Sequence, residues 1–124
     1  MKNTINWFEI PVKDFDRAKK FYSDILSFKM EESQMGPLRM GFLPSEEGAV
    51  SGAICHGEGF EPSANGTLIY LNADGIMDEV LGRIESAGGK IVMPRTNITP
   101  EIGDMAMFID TEGNKIALHN TPGR

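Results

Sequence analysis

A single cysteine, Cys55, leaves this 124-residue chain without an intramolecular disulfide or a Cys-X-X-Cys redox pair, which fits a reducing compartment. Cations are scarce too: 12 Lys and Arg stand against 18 Asp and Glu, a formal net charge of -6. The surplus of positive charge that nucleic acid or an anionic membrane requires is therefore missing, and neither is an expected partner. The densest basic stretch, Arg17, Lys19 and Lys20, is interleaved with Asp14, Asp16 and Asp24, as on a solvated helix face. No apolar run approaches the roughly 18 residues of a membrane span, and the opening MKNTINWFEIPVKD lacks the continuous apolar stretch of a signal peptide. A cytoplasmic location is expected. The 14 Gly and 7 Pro fall well short of low-complexity content, while 40% hydrophobic residues supply an ordinary single core.

Apolar periodicity organises what is present. Ile5 to Val12 alternates as a strand, with Phe8, Ile10 and Val12 on one face and Trp7 and Glu9 on the other. Asp14 offers an N-cap, and Phe15, Ala18, Phe21, Tyr22 and Ile25 recur at helical spacing. Short strands are expected at 29–34, 38–43 and 49–55, separated by the turn segments MGP and PSEEG. The segment GEGFEPSANG has no periodicity and reads as a crossover; it carries neither a Walker lysine nor a dinucleotide-binding context. The pattern then restarts. A strand is expected over 67–71, with Leu68 and Tyr70 packing under a helix and Thr67, Ile69 and Leu71 on the opposite face. Asp74 is the expected second N-cap, Ile76, Val80, Ile84 and Ala87 form a helical stripe ended by Gly88 and Gly89, and strands follow at 90–94, 105–109 and 115–119.

Both halves thus read as βαβββ, with Asp14 and Asp74 at equivalent places and His56 and His119 ending equivalent strands. The expected architecture is α+β: one domain over 1–124, made of a module at about 4–56, a crossover at 57–66 and a module at about 67–122. One helix covers one face of each sheet, leaving the other faces free to enclose a cavity.

The opening FEIPVKDFDRAKKFYSDILSFKM, the middle EPSANGTLIYLNADGIMDEVLGRIESAGGKIV and the ending DTEGNKIALHN together resemble the vicinal oxygen chelate superfamily, which holds glyoxalase I, bleomycin-resistance proteins and extradiol dioxygenases. Within it the chain is most similar to the small bacterial group related to lactoylglutathione lyase. The resemblance implies paired βαβββ modules whose curved sheets enclose a pocket, and a homodimer. It also implies four metal-ligand positions on the first and last strands of each module, usually His and Glu. Here those positions hold Trp7, Ala53 or Ile54, Thr67 and Ala117, none of them a normal ligand. No metal and no other cofactor is expected.

The expected site is a metal-free pocket for a small organic molecule, bounded by Trp7, Glu9, Thr67, Ile69, Ala117 and His119. Glu9 has two readings: a general base or clamp for a cationic group, raised in pKa by desolvation, or a carboxylate satisfied by a backbone donor, Arg39 or Arg95. Trp7 stacks on a planar ligand or fills the space a metal vacated. Met40, Met93, Met105 and Met107 either line an adaptable pocket or pack as core, and Cys55 is either a small buried hydrophobe or a nucleophile. Two alternatives stand beside this one. The first is a lyase, isomerase or dioxygenase-type enzyme, with Glu9 as base or with a displaced metal on Glu9, His56 and His119. The second is a non-catalytic dimeric interaction module.

Overall fold

The computed structural model describes residues 1–124. The first half builds β1 (Trp7–Pro11), α1 (Phe15–Leu26), β2 (Glu32–Met35), β3 (Leu38–Phe42) and β4 (Ser51–His56). The second builds β5 (Tyr70–Asn72), α2 (Met77–Ile84), β6 (Lys90–Thr99), β7 (Gly103–Ile109) and β8 (Lys115–Asn120). Two four-stranded sheets result, ordered β1-β4-β3-β2 and β5-β8-β7-β6. In each, the module's first strand lies parallel to its last, and the remaining neighbours are antiparallel. This is the α+β pair of βαβββ units that the sequence pattern implies.

Helix α1 starts where the sequence places it. Asp14 is extended (φ -109°, ψ 98°), and its Oδ1 accepts a hydrogen bond from the Arg17 amide at 3.1 Å. The helix stops at Ser27, which adopts left-handed φ 54° while the Phe28 amide donates to the Ser23 carbonyl. Phe15, Ala18, Phe21, Tyr22 and Ile25 are all buried. Together with Ile10 and Ile54 of the first sheet, Val12 just after β1, α2, and Phe108 and Leu118 of the second sheet, they form one continuous core of 19 buried residues. Phe21 bridges the modules, its ring 5.0 Å from Tyr22 and 5.9 Å from Phe108. Each large side chain fully buried there contributes on the order of 1.5–3 kcal/mol of transfer free energy.

Three expectations are corrected. Asp74 does not cap α2, whose N-cap is Ile76 without a side-chain bond. Gly75 takes φ 75°, the chain turns once more before the helix begins, and the Asp74 carboxylate is spent on the Thr121 amide. Strand β6 runs past Pro94 to Thr99, because it is the outermost strand and a register shift between Met93 and Thr96 accommodates the missing donor. The face assignment of β5 is inverted. Leu71 pairs with Leu118 and enters the core, whereas Tyr70 and Asn72 lie opposite Ala117 and His119 on the face away from the helices. Residues 68–71 are apolar without interruption, so alternation there cannot choose a face; pairing with β8 does.

The sheets do not close on each other. No strand of one pairs with a strand of the other, and the halves join mainly through the packing of α1 on α2. Strands β1 and β5 are both sheet edges, and the hollow that the sequence places between facing sheets is instead a seam between these two edges.

Candidate functional site

Strand parity on the first sheet turns Trp7 and Glu9 of β1, Ala53 and Cys55 of β4, and Met40 and Phe42 of β3 away from the helices. Trp7 is 44% exposed and meets the Phe42 ring edge-on at 6.2 Å. Its indole Nε1 donates to the Glu9 carboxylate at 3.3 Å. Neither arginine considered for Glu9 reaches it. Arg39 lies over the Phe15 ring and pairs with Asp16 and Glu32 on the helix side, and Arg95 pairs with Asp78 and Asp104.

Cys55 is fully buried. Burial first, and then the neighbouring Glu9 carboxylate, push its thiol up to about 12, so it stays protonated at neutral pH and packs as a small hydrophobe rather than acting as a nucleophile.

Three cavities lie near these residues. The largest, about 620 Å³ and mostly apolar, opens along the seam between Ile5, Phe8 and Val50 on one side and Leu68, Tyr70 and Leu71 on the other. A cleft of about 240 Å³ continues the seam, lined by Glu9, Glu61, Ser63, Thr67, Asn114 and Lys115; Thr67 and Ile69 line both. A third, about 480 Å³, sits at the end of the second sheet among Tyr70, Asn72, Asp74, Ile98, Ile102 and His119.

The structure therefore brings Glu9, Thr67 and Ile69 together at the seam and ties Trp7 to Glu9. Ala117 is buried beneath the second sheet's open face, and His119 lines the third cavity, which shares Tyr70, Leu71 and Asn72 with the largest. Met40 and Met105 are buried, Met107 is half-buried and Met93 exposed, and none lines these three cavities. Sequence reasoning missed Tyr70, Asn72, Glu61, Asn114 and Lys115. The first two follow from the inverted face of β5; Glu61 comes from the crossover and Asn114 from the β7–β8 turn, where no periodicity signals direction, and Lys115 opens β8 directly after that turn.

The residues present do not fit the divalent metal that the resemblance implies. The donor positions carry an indole, a small alkyl side chain, a hydroxyl and a methyl, and no three His, Cys, Asp or Glu side chains group closely enough to hold an ion. The displaced set of Glu9, His56 and His119 does not assemble either. Glu9 and His56 occupy opposite faces of the first sheet, because their strand positions differ in parity, and His119 lies on the second. Each histidine also has a nitrogen engaged with a backbone carbonyl, His56 Nδ1 with Val12 at 3.1 Å and His119 Nε2 with Ile102 at 2.7 Å. A carbonyl only accepts, so both nitrogens carry the proton.

Comparison with known proteins agrees with this architecture. Residues 4–118 match the family model of the glyoxalase/bleomycin resistance protein/dioxygenase superfamily. The chain belongs to that superfamily. A glyoxylase-like domain-containing protein of Didymella fabae is 29% identical over 97% of this chain and 95% of its own length. CFP32 of Mycobacterium bovis is 26% identical over 94% of this chain, which spans 45% of that protein. Among solved structures, a glyoxalase/bleomycin resistance protein from Albidiferax ferrireducens superposes with TM-score 0.77 at 19% identity, covering 97% of this chain and all of that one. TnmS3, an antibiotic-binding protein from a Streptomyces species, superposes with TM-score 0.68 at 23% identity, covering 96% of each chain. No helix of this superfamily member is long and apolar enough to cross a membrane.

Proposed function

We propose that this glyoxalase-superfamily chain binds a small, largely apolar organic molecule in the seam between β1 and β5, without the divalent ion that supplies Lewis-acid chemistry elsewhere in the fold. The observation that carries the reading is the 620 Å³ cavity, of a size that suits a drug-like molecule and mostly apolar, opening into a smaller polar cleft. The likeness in fold to an antibiotic-binding protein supports it. A panel of fused-ring aromatic compounds screened by thermal melting is expected to yield at least one that raises the midpoint by several degrees. Leu68→Trp, which puts an indole into the same cavity, is expected to abolish that rise while leaving the unliganded melt in place. No stabilising compound, or equal stabilisation of the variant, sinks the reading.

We further infer that two copies pair so that each covers the open sheet faces of the other. Trp7 and Tyr70, on those open faces, and Ile102, at the β6–β7 turn, are 44%, 49% and 50% exposed and are the apolar side chains such a pairing would cover. Sedimentation equilibrium at micromolar concentration is expected to give twice the chain mass, and a monomer there contradicts the pairing.

A further inference from the structure

The geometry points to Glu9 as the group that selects a positively charged ligand for the seam, an inference that rests on the binding reading above. On the open face of the first sheet every other strand residue is uncharged: Trp7, Phe42, Met40, Ala53 and Cys55 surround this one carboxylate. No lysine or arginine forms an ion pair with it, although Arg17 and Arg39 on the helix side are both paired with other carboxylates. Its side-chain partners are both neutral: the Trp7 indole at 3.3 Å, a long contact for a charged acceptor, and the protonated Cys55 thiol. A carboxylate beside the Trp7 indole and without a lysine or arginine partner is placed to receive an ammonium or protonated heterocycle. The carboxylate supplies the charge-assisted hydrogen bond and the Trp7 face supplies a cation–π contact.

The cleft that Glu9 lines keeps the same sign. Glu61 adds a second carboxylate, and Lys115 is the single cation, with no ion pair to either. The cleft thus carries excess negative charge at the mouth of an apolar cavity with which it shares Thr67 and Ile69. A ligand with an aromatic body and a basic group matches both parts at once, and an anionic ligand of the same shape is repelled.

The test uses a matched pair of probes, 1-naphthylmethylamine and 1-naphthalenemethanol, which differ in an ammonium against a hydroxyl. Binding is measured by calorimetry at neutral pH, and the indole N–H resonance of Trp7, the only tryptophan, reports where the probe sits. The intact protein is expected to bind the amine about tenfold more tightly than the alcohol, and Glu9→Gln to bring that ratio to within about twofold while leaving the alcohol's affinity in place. Glu46→Gln, an equal charge change at an exposed position outside these cavities, is expected to keep the full preference. Equal binding of amine and alcohol, or a preference that survives in Glu9→Gln, overturns the selection by Glu9 and leaves small-molecule binding standing. Failure of both probes and of the aromatic panel overturns the two together.

Discussion

Replacing Asp110 by alanine is expected to remove about 3–5 kcal/mol of folding stability, a loss read as a fall of roughly 10 °C or more in the thermal midpoint. Asp110 is 4% exposed and accepts four hydrogen bonds. Its Oδ2 receives the Tyr22 hydroxyl at 2.6 Å and the Asn114 side-chain amide at 3.0 Å, and its Oδ1 receives the backbone amides of Glu112 and Asn114 at 2.8 and 2.9 Å. Alanine would strand a hydroxyl on Tyr22, which is completely buried, and loosen the turn at the same time. A buried donor without an acceptor costs about 1–3 kcal/mol by itself. Tyr22→Phe is the milder probe: the carboxylate keeps three donors, and the expected cost is about 1–2 kcal/mol. Urea titration of both variants checks the ranking, and a loss below about 1 kcal/mol for Asp110→Ala contradicts the account.

This network does more than hold a turn. Tyr22 belongs to α1 and Asp110 to the second module, and the Asn114 side chain donates onward to the Pro11 carbonyl of β1 at 2.8 Å. The β7–β8 turn therefore clasps the edge strand that carries Glu9. Its loss is expected to widen the cleft between Glu9 and Asn114 as well as to lower stability.

Glu112, two residues along the same turn, gives the second large effect. Its side chain is covered by its partners in a residue that as a whole is half-buried, and it sits over the start of α1. Oε1 accepts the backbone amides of Lys13 and Asp14 at 2.9 and 2.7 Å; Oε2 accepts Arg17 Nε at 2.8 Å and the Thr111 hydroxyl at 2.8 Å. Burial works to raise its pKa, but these donors outweigh it and bring the carboxyl from 4.5 down to about 2. The folded-state pKa is depressed, so the stabilisation is fully present above about pH 4.5 and is lost as pH falls towards 2. That window corresponds to about 2–3 kcal/mol once screening at the protein surface is allowed for. Glu112→Gln is expected to remove a similar amount at neutral pH, since an amide has one acceptor oxygen for four donors. It is also expected to flatten the acid limb of the stability curve between pH 4.5 and 2. Melting curves across that range decide the matter; an acid limb as steep in the variant as in the parent assigns the linkage elsewhere.

Much of the fold is legible from local chemistry. Asp14 caps α1 and Phe15, Ala18, Phe21, Tyr22 and Ile25 bury as their spacing dictates, because both features act over a single helical turn. Trp7 and Glu9 face away from the helices for an equally local reason, the alternation of β1 against Ile10 and Val12. Asp74 misleads because its partner, the Thr121 amide, lies 47 residues away, beyond the reach of any capping pattern.

The two βαβββ halves are written in residue type at fixed local spacing, and the resemblance those halves carry implies ligand positions that hold no metal donor. Long-range packing sets the rest: the sheets stay open, β5 turns Tyr70 rather than Leu71 away from the helices, and Glu9 shares a cleft with Glu61 and Lys115. Each of those depends on which distant strand or turn lies alongside, and an uninterrupted apolar run or an aperiodic crossover carries no local signal of its neighbour.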